Sequence, residues 1–158
     1  MRPNTALLRS FLLLTVFSVP VVQPLAGGDV LLTEVLYHPD EEDELGEFVE
    51  VWNASEKAVD LGGWKLSGGV AYEFSAGTGL EKDARLVVVR NLERFQAVHG
   101  KEVRILGPFQ GELKNGGEEL ALVDSKGSVV DTIAFSEKAP WPPGADGNGS
   151  SLERLSPV

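Results

Sequence analysis

The densest chemistry in this sequence is the acidic run Asp40-Glu41-Glu42-Asp43-Glu44, followed closely by Glu47. Clustered carboxylates suit a hard cation such as Ca²⁺, which takes about six to eight oxygen ligands. Consecutive acids, however, lack the alternating spacing by which a loop wraps its ligands around one ion, and such runs are usually solvated. A solvated loop is therefore the expected reading, with a cation site as the alternative. The stretch Ala145-Asp146-Gly147-Asn148-Gly149-Ser150 has the composition of part of a calcium loop, without its spaced acids or its distal bidentate glutamate.

The other reactive residue types are sparse. The two histidines are His38, in a Tyr-His-Pro turn, and His99, at the end of a short helix, where positive charge near the last carbonyls is mildly favourable. Both are expected to be structural. The serines have no Gly-x-Ser-x-Gly setting. The lack of cysteine excludes a thiol nucleophile and a thiolate zinc site. Gly62-Gly63 and Gly68-Gly69 belong to strand-linking turns, not to a strand-to-helix junction that cradles phosphate. Asn53-Ala54-Ser55 and Asn148-Gly149-Ser150 match the N-glycosylation sequon, a short signal with meaning only in a host that glycosylates. The expectation is no catalytic, cofactor-binding or metal-binding residue, and no cofactor. A calcium-dependent hydrolase built on the acidic loop and His38 stands as a minor alternative.

What must position these residues is a set of short strands. Runs of β-formers separated by turn residues predict strands near Val30–Tyr37, Glu47–Asn53, Trp64–Ser67, Tyr72–Phe74, Arg85–Val89, Glu119–Asp124, Val129–Phe135 and Ser151–Leu155, with another near Val103–Leu106. Eight or nine short strands imply an all-β sandwich. In Phe48-Val49-Glu50-Val51-Trp52, alternation puts Val49 and Val51 on one face and Phe48, Glu50 and Trp52 on the other. Arg85-Leu86-Val87-Val88-Val89 is nearly continuously apolar, as in a strand covered on both sides. Asp124-Ser125-Lys126-Gly127-Ser128 carries glycine where a hairpin loop needs positive φ. The one helical pattern is Asn91 to His99, capped by Asn91 and ended by Gly100, with Leu92, Phe95 and Val98 recurring every three residues. Trp141, held between two prolines in the Pro140–Gly149 stretch, marks an ordered loop, since exposing a tryptophan is costly.

The chain has 158 residues, enough for one domain with a real core. Residues 1–26 form the pattern of a secretory signal peptide: Arg2 and Arg9, an apolar run from Phe11 to Val22, then Leu25-Ala26-Gly27-Gly28. The run is short for a span of about 20 residues, and cleavage is expected after Ala26, leaving a domain over residues 27–158. A retained membrane anchor is the alternative, kept open by Pro24 three positions before the cut. Arg2 and Arg9 are the only charges before Asp29, so cleavage moves the formal charge from −10 to −12. Phosphate backbones are bound by Lys and Arg that displace counterions, so this balance argues against nucleic acid and anionic lipid. An exported domain without disulfides holds itself by its core alone.

With the strands placed, the sequence resembles the lamin tail domain family in its bacterial, exported branch. The matching pieces fall in family order: Leu32-Thr33-Glu34-Val35-Leu36-Tyr37-His38-Pro39, Gly46-Glu47-Phe48-Val49-Glu50-Val51-Trp52-Asn53, and Val59-Asp60-Leu61-Gly62-Gly63-Trp64-Lys65-Leu66-Ser67. Later come Leu113-Lys114-Asn115-Gly116-Gly117-Glu118, Leu120-Ala121-Leu122-Val123-Asp124, Val129-Val130-Asp131, and Trp141 with Ser151-Leu152-Glu153-Arg154. The resemblance implies an immunoglobulin-like β-sandwich that serves attachment or interaction rather than catalysis. Physically, Glu47 and Glu50 beside Asn53 suit pairing with loop backbone donors that fixes the second strand's exit. Leu61, Trp64 and Leu66 read as core, with Gly62-Gly63 bending the chain to turn Trp64 inward. Asn115-Gly116-Gly117 supplies a tight turn.

The expected function is an exported, non-catalytic binding or tethering module presenting loops and sheet edges to a protein or glycan partner, secreted or in the cell envelope. The alternative is an N-terminal scaffold fragment of a larger secreted protein whose activity lies in another domain. No nucleic-acid partner and no stable membrane span after cleavage are expected.

Overall fold

The computed structural model describes residues 29–40, 43 and 45–154. The predicted signal peptide at 1–26, Glu41, Glu42 and Glu44 of the acidic run, and Leu155 of the predicted last strand lie outside the described residues.

The strands are β1 (Val30–Leu36), β2 (Phe48–Asn53), β3 (Val59–Asp60), β4 (Lys65–Ser67), β5 (Val70–Glu73), β6 (Gly79–Leu80), β7 (Arg85–Val89), β8 (Ile105–Leu106), β9 (Gln110–Gly111), β10 (Gly117–Val123), β11 (Val129–Ser136) and β12 (Leu152–Glu153). A helix, α1 (Leu92–His99), follows β7. One sheet runs β12-β1-β2-β7-β8 and the other β11-β10-β4-β5-β9, with β3 and β6 pairing separately. Neighbours are antiparallel except β7 and β8, which run parallel. This is an immunoglobulin-like sandwich, as the sequence predicts. The strands exceed the expected eight or nine because β3, β6 and β9 are two residues each, too short to show alternation. Among the described residues, no helix is long and apolar enough to cross a membrane.

The two sheets bury facing side chains between them. Leu32, Val49, Val51, Leu86 and Val88 of the first sheet meet Leu66, Leu120, Leu122, Ile133 and Phe135 of the second. Each such side chain contributes about 1.5–3 kcal/mol when fully buried. The opposite face of the first sheet is covered too. Phe95 of α1 packs on Leu36, Phe48, Val87 and Val89, so β7 is apolar along its length because it is covered on both sides.

Local signals act where the sequence places them. The Asn91 side chain accepts from Arg94 N at 2.9 Å and Gly100 closes α1 with φ 81°. Val98, expected on the buried stripe, is instead 52% exposed, because the face that meets the sheet runs through Leu92, Phe95 and His99, whose ring packs against Phe48 and Phe95. The β10–β11 hairpin closes through Asp124 N to Ser128 O, with Gly127 at φ 87°. Trp64, expected as core, is half-buried at its margin, while Leu61 and Leu66 are fully inside.

Candidate functional site

A cleft of about 570 Å³ opens where β1 and β2 are joined, with His38, Asp40, Asp43, Glu47, Arg90 and Asn115 among its walls. His38 Nδ1 lies 2.7 Å from Asp146 Oδ1, and Gly147 N donates to the His38 carbonyl at 3.1 Å. The two segments read separately in the sequence, the Tyr-His-Pro turn and the Asp146-Gly147 loop, are therefore strapped together. Gly147 permits the approach: its φ is 68° and a Cβ there would sit 3.1 Å from the imidazole. No serine or threonine hydroxyl bonds to this ring among the described residues. The pair ties the two loops together.

The acids of the cleft are also engaged. Glu47 is 4% exposed; its Oε1 accepts from Arg90 at 2.9 Å and its Oε2 from Leu113 N at 3.1 Å. Burial pushes this carboxyl above the ordinary glutamate value, and the Leu113 N–H and Arg90 pull it back only in part. Arg94 Nε donates to both oxygens of Asp43 at 2.9 Å. Among the described residues, no three His, Cys, Asp or Glu side chains converge on a point where a metal ion would sit.

The expectation for Glu47, a carboxylate accepting a loop backbone donor, is met at Leu113. The same expectation fails for Glu50, which accepts from Thr33 Oγ1 and Arg85, both at 2.5 Å. Glu50 points out of the sheet, where its cross-strand neighbours are side chains rather than loop backbone. The exit of β2 is fixed instead by Asn53, which is fully buried. Its Nδ2 donates to Lys57 O, Leu80 O and Glu81 O at 2.8–3.0 Å, and its Oδ1 accepts from Ser55 N and Ser55 Oγ. The first sequon thus holds its asparagine inside the fold. The second, at Asn148, has its Nδ2 bonded to Pro143 O and Asp146 O.

At another margin the edges of the two sheets meet. Asp131 of β11 accepts from Leu32 N at 2.8 Å and from Arg154 at 3.2 Å, and Arg154 donates further to Thr132 O at 2.7 Å. Two short motifs distant in sequence, Val129-Val130-Asp131 and Ser151-Leu152-Glu153-Arg154, thereby close one seam.

Beside that seam lies a groove of about 640 Å³, floored by Ile133, Trp141 and Leu152 and rimmed by Ala134, Pro142 and Glu153. One wall is β11, the end strand of its sheet. Edge strands offer unpaired backbone groups, and proteins usually blunt them with charge, proline or a bulge. The only charge on β11 is Asp131, turned into the seam, and the strand's one bulge is at Val130, before the groove; Ala134, beyond it, is exposed. Glu153, exposed on the rim, has no ion pair among the described residues. The sequence shows the alternation of β11 but not its place at a sheet edge, because strand order leaves no local signal. Trp141, read there as the mark of an ordered loop, also supplies part of the groove's floor.

Two packed sheets, a helix on one outer face and a network of side chains holding loops and a seam define an immunoglobulin-like domain. The lamin tail domain family model matches residues 23–137. The chain belongs to that family. No curated protein matches it. The family match stops before Trp141 and β12, so most of the residues lining the groove lie beyond the matched span.

Proposed function

We propose that this chain is an exported, non-catalytic binding or tethering module whose partner is a protein, held as an extended segment in the groove along β11. Residues 1–26 are the leader removed on export, residues 27–158 are the folded domain, and its place is the cell envelope or the medium. The observation that carries the reading is the conjunction of a sheet-edge strand, engaged by Arg154 at its Thr132 carbonyl but carrying neither charge nor proline from Ile133 to Ser136, with an apolar floor at Ile133, Trp141 and Leu152. An added strand gains main-chain hydrogen bonds along such an edge, and alternate side chains enter the pockets. Glu153, without an ion pair among the described residues, and the formal charge of −12 on residues 27–158 favour a basic segment. The buried polar side chains already have structural work: Glu47 holds Leu113 and Arg90, and Asn53 holds the β2 exit. This supports a scaffold over a reaction centre.

The test is selection from a displayed library of extended peptides against residues 27–158, followed by amide hydrogen exchange of the complex. Expected are peptides with alternating apolar residues and at least one Lys or Arg, protecting amides of β11. Ala134→Lys, at an exposed edge position, abolishes their binding while leaving the unfolding midpoint unchanged. Protection centred on the His38 cleft, or binding indifferent to Ala134→Lys, overturns the groove as the site. Recovery of glycans and no peptide overturns the choice of partner.

A further inference from the structure

We infer that Asn115 is a site of spontaneous covalent modification, at which the side-chain amide converts to a carboxylate through a cyclic imide with Gly116. The reaction needs an asparagine amide free to turn, a following backbone nitrogen free to attack, and no side chain crowding that nitrogen. Asparagine followed by glycine occurs twice in the chain, at Asn115-Gly116 and at Asn148-Gly149. The structure separates the two.

Asn115 is exposed and its side chain makes no hydrogen bond among the described residues. It stands in the turn closed by Gly117 N to Lys114 O at 2.9 Å, and the Gly116 N–H has no bonding partner among the described residues. Gly116 stands in open space, with nothing within 4 Å of where a Cβ would be. Asn148 is also exposed, but its amide nitrogen is tied to Pro143 O at 3.1 Å and Asp146 O at 2.8 Å. Its amide must leave both bonds before its carbonyl carbon can be attacked. Asn53 and Asn91 are followed by Ala and Leu, and both are held, Asn53 by its buried network and Asn91 as the α1 cap.

The chemistry balances with water as the only co-reactant. The Gly116 nitrogen gives up its proton to solvent base and bonds to the Asn115 side-chain carbonyl carbon. The bond from that carbon to Nδ2 breaks, and Nδ2 leaves as ammonia after taking a proton. Water then opens the five-membered imide at either carbonyl, giving aspartate or isoaspartate. The product adds one negative charge to the wall of the His38 cleft, which Lys114 and Glu112 also line.

The test is incubation of the intact protein at mildly alkaline pH, with peptide mapping by mass spectrometry over time. Expected is a gain of one mass unit at Asn115, in two chromatographically separate products. Freeing the Asn148 amide means breaking two hydrogen bonds, so Asn115 is expected to convert roughly tenfold faster or more. Gly116→Ala crowds the attacking nitrogen and slows conversion at Asn115 alone. The open space at Gly116 leaves the unfolding midpoint of that variant unchanged, which checks that the fold is intact. Conversion of Asn148 at an equal rate, or a Gly116→Ala variant that converts as fast as the parent, overturns the assignment.

Discussion

At the scale of single residues, Glu47 shows how burial and bonding compete over one proton. Loss of solvent raises its proton affinity, and the Leu113 N–H and the Arg90 guanidinium offset only part of that. The folded state therefore binds this proton more tightly than the unfolded chain does. The resulting stabilisation is fully present below the unfolded glutamate value, about 4.3, and is lost as pH rises through the raised folded value. Glu47→Gln keeps an acceptor for Leu113 N and carries no charge at any pH. Denaturant midpoints measured from about pH 4 to about pH 8 are expected to fall less steeply on the alkaline side in this variant than in the parent. Identical slopes would mean that Arg90 and Leu113 compensate the burial fully. Glu47 was legible as a carboxylate held by loop backbone, because an acid at a strand start before an apolar run has few other reasons to be there. That Asn53 rather than Glu50 fixes the strand's exit was not legible, since the carbonyls of Leu80 and Glu81 reach Asn53 only through tertiary approach.

At the scale of elements, α1 depends on one anchor. It has eight residues, too few to persist alone, and Phe95 is its buried side chain. The Phe95 ring meets Phe48 edge-on at 5.5 Å, and His99 stacks on Phe95 at 4.5 Å. Phe95→Ala is expected to cost about 3–5 kcal/mol. Much of that loss should be local: amide exchange in α1 rises sharply, while β2 and β7 stay protected by their own ladder. Uniform loss of protection across β2, β7 and α1 would show instead that the helix is part of the cooperative core. The helix was legible from its Asn91 cap, its Gly100 stop and its threefold spacing. Its partner was not legible, although Phe48 on the solvent-side register of β2 was a clue that something covers that face. The long strands were legible for the same reason, period-two burial. The two-residue strands β3, β6 and β9 were not, because their pairing is decided by what lies beside them, whereas β8 and β12 fall within the predicted Val103–Leu106 and Ser151–Leu155.

At the scale of the whole molecule, the fold is closed by its two ends. β12 pairs with β1, placing Leu152 opposite Val35, and Arg154 N donates to Thr33 O at 2.8 Å. The Arg154 side chain then neutralises Asp131 across the seam, where the pair is largely covered: the side chains are 19% and 10% exposed. Removing one partner of a covered pair leaves an uncompensated charge, which costs more than the pair itself contributes. A chain ending at Ser150 loses β12, the apolar contact of Leu152 and the cation facing Asp131 together. It is expected to unfold at a much lower denaturant concentration than the parent. Adding Asp131→Asn to that truncation should recover part of the loss, because the amide keeps an acceptor for Leu32 N without stranding a charge. Recovery would assign the deficit to the seam's electrostatics; its absence would assign it to the lost strand and the apolar floor it provides. The groove proposed for a partner shares that floor, so stability and binding meet at Leu152. A partner strand seated along β11 would stabilise the domain by an amount that grows with the logarithm of its concentration above its dissociation constant.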